Sequence, residues 1–394
     1  MDFKFTEEQE MIRDTAAGFL AEVSTSESVR AAMATEAGYS AQLWNRVCEE
    51  MFWQAIHIPE EYGGMGLGYV ELVAMLEQMG SHLFCSPFYS TVCLGVNSLL
   101  VAGNEEQKAR YLPAIVSGAT ATLAYTGESG KWNADAVEAT CSRSDSGFSL
   151  DGKYRFVPDG HTAELLIVAA RIEGSTSDEG ICLFVLSADT PGVTREWLPT
   201  MDQTRKQAQL SFDKVSVDAS SLLGAYGEAW PALEKIINLA TVAIAADQVG
   251  GSQRVLDSTV SYTQERVQFG RTIASYQAVK HKAADMMVKV EAGRSAIYYA
   301  ACVADEALVD GPLGAELSEA ASIAKAWCSD AYFHNAGTGI QLHGGVGFTE
   351  EYDVQLYFKR AKSTETFLGN GAYHRERLAS QLLDGVFNST EAVL

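Results

Sequence analysis

Apolar residues recur at helical spacing over residues 11–20 and again over 70–79, which predicts an amphipathic helix at each place. Between them, Pro59-Glu60-Glu61-Tyr62-Gly63-Gly64-Met65-Gly66 interrupts the pattern with turn-forming residues. Asn104, followed three residues on by Gln107, predicts a capped helix start. The first 120 residues therefore read as mainly helical. The texture changes near Ala121, where short apolar runs begin to alternate with Gly, Ser, Asp and Pro. Residues 165–170 and 181–186 predict buried strands, and the alternating stretch 209–217 predicts a half-exposed one. Asp151-Gly152, between residues 148–150 and 153–156, predicts a hairpin turn. Helical spacing returns at Ala229, with four long Ala-rich helices predicted at 229–267, 276–309, 314–342 and 354–383. Residues 295–301 are apolar around most of the helix, which predicts burial on several sides and oligomerisation through this bundle. The expected fold is α+β. It has an N-terminal helical domain over 1–120, a middle β-barrel or sandwich domain over 121–228, and a C-terminal four-helix bundle over 229–394.

Composition narrows the function classes. The chain of 394 residues is long enough for two or three domains and a large core. Hydrophobic residues at 47% and charged residues at 20% read as globular rather than disordered. Lys plus Arg is 29 against 51 Asp plus Glu, a net charge of −22. That acid excess argues against nucleic-acid binding and against docking on anionic membranes. No apolar run approaches the ~20 residues of a membrane span. The first twenty residues carry acids where a signal peptide carries basic residues, and they lack its apolar stretch. They are expected to form a cytoplasmic amphipathic helix. Seven cysteines (Cys48, Cys85, Cys93, Cys141, Cys182, Cys302 and Cys328) form no CxxC and fit reduced, mostly buried thiols. No His–Cys or HExxH cluster points to a metal.

Two segments carry candidate chemistry. Glu265-Arg266-Val267-Gln268-Phe269-Gly270-Arg271 sets two guanidiniums around a glycine at a helix end, an arrangement that can clamp a phosphate or carboxylate. On composition alone, basic residues capping a helix C-terminus is the stronger reading. Gln341-Leu342-His343-Gly344-Gly345-Val346-Gly347 puts three glycines in a short loop, where a backbone can approach a ligand or simply turn. His343 beside them is a ligand contact, a general base or a structural histidine, the last being the commonest. Neither GxSxG nor a strand-to-helix GxGxxG is present.

Taken together, these segments resemble the acyl-CoA dehydrogenases over essentially the full length. Pro59–Gly66 is similar to that family's early motif, and the 201–224 stretch resembles the closing strands of its β domain. Arg266-Val267-Gln268-Phe269-Gly270 with Gln277 is similar to its flavin-diphosphate segment. Gln341 with Gly344 and Gly345 is similar to the segment that reaches a neighbouring subunit's FAD. The resemblance implies FAD bound across a subunit interface, α,β-dehydrogenation of an acyl-CoA thioester, and electron transfer to electron-transferring flavoprotein. A carboxylate takes the α-proton and the flavin takes the β-hydride.

The departures from the family carry the finer expectation. Aligned through Arg360-Ala361-Lys362, Leu368 occupies the place of the usual catalytic Glu. Some members carry that Glu early in the first C-terminal helix, a place occupied here by Ala240. Neither side chain accepts a proton, so no catalytic residue is assigned. On the flavin-ring side, the family's Leu-Thr-Glu-Pro loop becomes Tyr125-Thr126-Gly127-Glu128, and its Trp-Ile-Thr-Asn segment becomes Phe156-Val157-Pro158-Asp159. Pro158 removes both a hydroxyl and an amide donor. The diphosphate side keeps its residues. This asymmetry resembles the non-catalytic subunit of the α2β2 acyl-CoA dehydrogenases of steroid side-chain degradation, whose unlike subunits share fewer flavins than chains. A homologous partner would then bring the ring pocket and the Glu. Two other readings stay open. One is a homotetramer with a base relocated to Asp247 or Glu365. The other is a non-enzymatic CoA-binding or structural homologue without flavin, against which the retained diphosphate side speaks.

Overall fold

The computed structural model describes residues 5–144 and 147–391. Its α-helices are α1 (Glu7–Val23), α2 (Ser26–Met33), α3 (Ala41–Arg46), α4 (Tyr69–Ser81), α5 (Asn97–Ala102), α6 (Glu105–Val116), α7 (Trp230–Glu265), α8 (Gln277–Leu308), α9 (Leu317–His343), α10 (Val354–Thr366) and α11 (Gly371–Glu391). Its strands are β1 (Ala121–Ala124), β2 (Thr140–Ser144), β3 (Gly147–Pro158), β4 (Leu165–Ile172), β5 (Ile181–Ser187), β6 (Val193–Leu198), β7 (Gln207–Asp218), β8 (Leu222–Leu223), β9 (Val267–Gln268) and β10 (Arg271–Thr272). The order is helices, sheet, helices, as the hydrophobic pattern predicts. The chain divides into two compact units. One comprises Met1–Ser26, Tyr69–Phe84 and Thr241–Leu394, and the other Glu27–Gly68 and Cys85–Ala240.

The first unit is helical. A capping box starts α1, with Thr6 Oγ1 accepting from the Gln9 amide at 3.2 Å and Gln9 Oε1 accepting from the Thr6 amide at 3.0 Å. Helix α4 crosses α7 closely because glycines stand at the crossing. A Cβ on Gly80 would lie 2.0 Å from the Asp247 carbonyl, and one on Gly250 would lie 1.7 Å from that of Glu77. Helix α9 packs against α8, α10 and α11. The first three predicted C-terminal helices end within a few residues of α7, α8 and α9. The fourth, predicted as one helix over 354–383, is two. Apolar spacing continues through the buried Phe367 and Leu368, but Leu368 (φ +59°) and Gly369 (φ +96°) adopt left-handed backbone that cannot extend a right-handed helix.

The second unit holds an eight-stranded sheet in the order β6-β7-β3-β2-β4-β5-β8, with β1 parallel to β4. Strands β4 and β5 are buried nearly throughout, which accounts for their continuous apolar runs. Leu150, Tyr154, Val168, Phe184 and Leu210 lie in the sheet's core. The Asn104 capping box forms as predicted, and Gln107 Nε2 also donates to the Ser220 and Leu222 carbonyls at 2.9 and 2.8 Å. Asp151-Gly152 is not a hairpin turn. Strand β3 runs straight through it, and the pairing with β7 slips between Leu150 and Gly152, so the glycine (φ +137°) serves a β-bulge. The connection of β2 to β3 falls at residues 145–146, outside the described residues. Cysteines 48, 85, 93, 141, 182 and 328 are buried and Cys302 is half-buried. Among the described residues, no helix is long and apolar enough to cross a membrane.

Candidate functional site

The predicted diphosphate residues all lie in the first unit. Strands β9 and β10 form a tight hairpin whose tip is Phe269 (φ +52°) and Gly270 (φ +80°). The turn leaves Phe269 92% exposed, an unusual position for so large an apolar ring. Arg266 is exposed at the hairpin's base, where its carbonyl accepts from the Ile273 amide at 2.8 Å. Arg271 lies over the Tyr276 ring, 3.9 Å from its centre. Gln268 is exposed on the same hairpin, and Gln277 opens α8.

At the end of α9, Gln341, Gly344 and Gly345 are exposed as well. Tyr262 joins them to the hairpin segment. It stacks on His343 at 4.3 Å between ring centres, and its hydroxyl donates to the His343 carbonyl at 3.3 Å. His343 Nδ1 sits 2.7 Å from the Gly339 carbonyl, and burial pushes its pKa below the ordinary value. His343 is therefore a buried, neutral imidazole that joins two segments. The glycines beside it differ. Gly344 takes φ +66° and ψ −141°, backbone that other residues avoid. Gly347 is needed for close packing, since a Cβ there would lie 2.8 Å from the Ile340 carbonyl. Around Gly345 a Cβ would meet nothing within 4 Å. Nothing among the described residues calls for a glycine there.

The two residues expected at the family's base positions, Leu368 and Ala240, are both buried. Leu368 lies in the break between α10 and α11 and is 1% exposed. Fully buried Lys325, from α9, holds that break. Its Nζ donates to the carbonyls of Thr364 (2.9 Å), Glu365 (3.1 Å) and Gly369 (2.8 Å), and lies 2.8 Å from Ser329 Oγ. Burial pushes Lys325 down to about 7. His374 Nε2 reaches the Leu368 carbonyl at 2.9 Å, and burial with the nearby Lys325 charge pushes this imidazole down to about 3. Ala240, in the second unit, is fully buried, and its carbonyl accepts from the Tyr89 hydroxyl at 3.0 Å. The two alternative bases are engaged elsewhere. Asp247 is buried against Arg360, with Nη1 3.2 Å from Oδ2. Glu365 Oε2 pairs with Lys362 at 2.7 Å.

The ring-side segments lie in the second unit and satisfy one another. The Thr126 hydroxyl donates to the Arg155 carbonyl at 2.9 Å, and the Arg155 amide donates back to the Thr126 carbonyl at 2.9 Å. The Gly127 amide donates to the Ala136 carbonyl at 2.9 Å. The Glu138 carboxylate accepts from the Glu128 amide at 2.9 Å and the Ser129 amide at 2.8 Å. Burial alone would raise the Glu138 carboxyl, but the hydrogen bonds from Ser129 and these amides, with the Lys131 charge, hold it below its usual range. Pro158 contributes no amide, and its carbonyl accepts from the Thr122 hydroxyl at 2.7 Å. Asp159 (φ +50°) is buried and accepts from Ser90 Oγ at 2.7 Å.

Glu138, Lys325 and Tyr262 carry no local sequence signal, because each acts on residues brought near by folding. The break that Lys325 holds did have one: Gly369-Asn370-Gly371.

For FAD, these residues give a divided answer. Exposed Arg266, the Gly344 turn and the open space at Gly345 fit a diphosphate. On the ring side, the Thr126 hydroxyl and the amides of Gly127, Glu128 and Ser129 are already used within the chain, which withholds them from a flavin ring. Family models agree with the fold. The acyl-CoA dehydrogenase N-terminal domain matches residues 6–119 and the C-terminal domain matches residues 227–383. The chain is 31% identical to acyl-CoA dehydrogenase IpdE2 of Mycolicibacterium smegmatis over 378 residues, covering 96% of this chain and 99% of that one. It is similar in structure to a chain of the Tcur3481-Tcur3483 steroid ACAD, with a TM-score of 0.84, 29% identity, and 96% and 99% of the two chains covered. It is also similar to a chain of the ChsE4-ChsE5 complex from Mycobacterium tuberculosis, with a TM-score of 0.85, 27% identity, and 97% and 99% covered. The chain belongs to the acyl-CoA dehydrogenase family.

Proposed function

We propose that this chain is the non-catalytic subunit of a heteromeric, FAD-dependent acyl-CoA dehydrogenase, expected as α2β2. A homologous partner supplies the flavin-ring pocket and the catalytic Glu. This chain supplies the diphosphate side through Arg266, Gln268, Phe269, Gln277, Gln341, Gly344 and Gly345. The FAD so held would supply acceptance of a hydride from the acyl-CoA β-carbon and would pass the electrons on to electron-transferring flavoprotein. The chain's own task is to hold the anionic end of the cofactor with an exposed guanidinium and an open glycine turn.

The carrying observation is the contrast between the two halves. The diphosphate residues are exposed and unobstructed, whereas the base positions are Leu368 and Ala240, both buried and apolar. The engagement of Asp247 with Arg360 and of Glu365 with Lys362 speaks against a relocated base. The two-chain make-up of the ChsE4-ChsE5 complex supports a heteromer. A steroid side-chain thioester is the proposed substrate by likeness to the steroid ACAD.

The test is flavin per chain, read from visible absorbance of this protein purified alone. A value near zero in folded protein, restored on co-expression with a homologue carrying the Glu, is expected. One flavin per chain in the isolated protein would overturn the reading. Leu368→Glu purified alone is expected to show no turnover, because the ring side stays closed.

A further inference from the structure

The ring-side loop is not merely missing family residues; it is filled from within. The Glu138 carboxylate spans the amides of Glu128 and Ser129, one oxygen to each. It also stands where a side chain at 127 would go. A Cβ on Gly127 would lie 2.4 Å from Glu138 Cδ and 2.8 Å from Glu138 Cβ, so rotating the carboxylate away would not make room. The loop is closed at its base. The Gly127 amide binds the Ala136 carbonyl, and Arg171 binds the carbonyls of Ala134 (2.7 Å) and Val137 (3.2 Å). Lys131 and Asp135 pair across it at 3.0 Å. We propose that Glu138 is a specificity-determining residue: an internal anion that takes up the two amides and keeps a flavin ring out of this chain's own half-site.

An intramolecular carboxylate competes at high effective concentration with any external acceptor for those amides. A flavin offers neutral ring carbonyls, which are weaker acceptors than a carboxylate. The same two amides therefore stay committed to Glu138. Gly127 and Glu138 act as a pair, because the Glu138 side chain fills the space that a side chain at 127 would need. The inference rests on the proposed subunit role, since only a chain that borrows its ring pocket gains from closing its own.

The experiment measures FAD binding by the isolated chain, using flavin fluorescence quenching with added FAD, for the native chain, Glu138→Ala and Glu138→Gln. Folding is followed by circular dichroism. Glu138→Ala is expected to bind FAD roughly tenfold more tightly than the native chain, the value of freeing charge-assisted hydrogen-bond donors. Glu138→Gln, which keeps a weaker acceptor, is expected to fall between them and replaces Glu138→Ala if that variant does not fold. A folded variant with unchanged FAD affinity overturns the role of Glu138 and leaves the subunit reading standing. A native chain that already holds one FAD overturns both.

Discussion

The segments proposed for the diphosphate side and those proposed for the ring side treat their polar groups in opposite ways. In the helical unit, Arg266, Gln268, Gln277, Gln341 and the glycines at 344 and 345 face solvent, held up from behind by the Tyr262–His343 stack. In the sheet unit, Thr126, Glu128, Ser129 and Pro158 have their hydroxyl, amides and carbonyl taken by Arg155, Glu138 and Thr122. An open polar surface with its scaffold fixed is what a ligand from another chain needs. A closed one has been returned to ordinary loop stability. The departures at residues 125–128 and at Pro158 already separate the halves in the sequence, and the hydrogen bonding adds how the ring side is closed.

The largest expected effect tests whether Asp247 is a base or a counter-ion. Its carboxylate is 1% exposed and faces the equally buried Arg360. Asp247→Asn leaves that guanidinium without its charge partner, and breaking such a pair costs roughly 3 kcal/mol. The urea midpoint is expected to fall accordingly, while the complex that remains folded turns over as before. Full stability with abolished turnover would reverse the comparison and make this chain self-sufficient.

Next comes the sealed break. His374 stays neutral in the fold down to about pH 3, whereas in the unfolded chain it takes a proton near 6.5. Between those values the unfolded state binds more protons, so stability falls as the pH drops below about 6.5. The contribution is about 2 kcal/mol between pH 6.5 and 5. In His374→Gln, that part of the pH slope of the denaturation midpoint should vanish. An unchanged slope would mean that the break around Leu368 opens to water.

A smaller effect belongs to the clamp itself. Arg266→Ala should weaken FAD binding in the co-expressed complex by about tenfold, the worth of one charge-assisted contact to phosphate. Its melting point should stay unchanged, because the guanidinium is exposed. Unchanged flavin content would remove Arg266 from the diphosphate side.

Much of the architecture was legible in local pattern, and the misreadings have a common cause. Helices α1, α4, α7, α8 and α9, and strands β4, β5 and β7, announce themselves because one face or both are buried and the spacing records it. Asn104 and Gln107 were readable because a capping box is a local device. Asp151-Gly152 was misread because the same dipeptide suits a turn and a bulge, and only pairing with β7 decides between them. The break at Leu368 was missed because Phe367 and Leu368 keep the apolar rhythm up to Gly369-Asn370-Gly371, the one local mark of the helix end. Lys325, Glu138 and the Asp247–Arg360 pair were illegible for a stronger reason. Asp247 and Arg360 are 113 residues apart, and nothing near either one predicts the other.

The glycines at the end of α9 give the smallest and most discriminating test. Gly344→Ala forces a Cβ onto backbone at φ +66° and ψ −141°, which should cost about 1 kcal/mol wherever the chain is studied. Gly345→Ala meets no neighbour within 4 Å and has no positive φ, so the isolated chain should lose less than about 0.5 kcal/mol. If a diphosphate or a partner's backbone lies against that spot, the added methyl must displace it, and the co-expressed complex should lose flavin although the free chain melts normally. The pair thus separates a glycine kept for its own fold from one kept for something outside it. Normal flavin content in a Gly345→Ala complex would mean that this open turn borders only solvent, and the contrast between an exposed, ligand-ready half and a closed one would then rest on the β9–β10 hairpin alone.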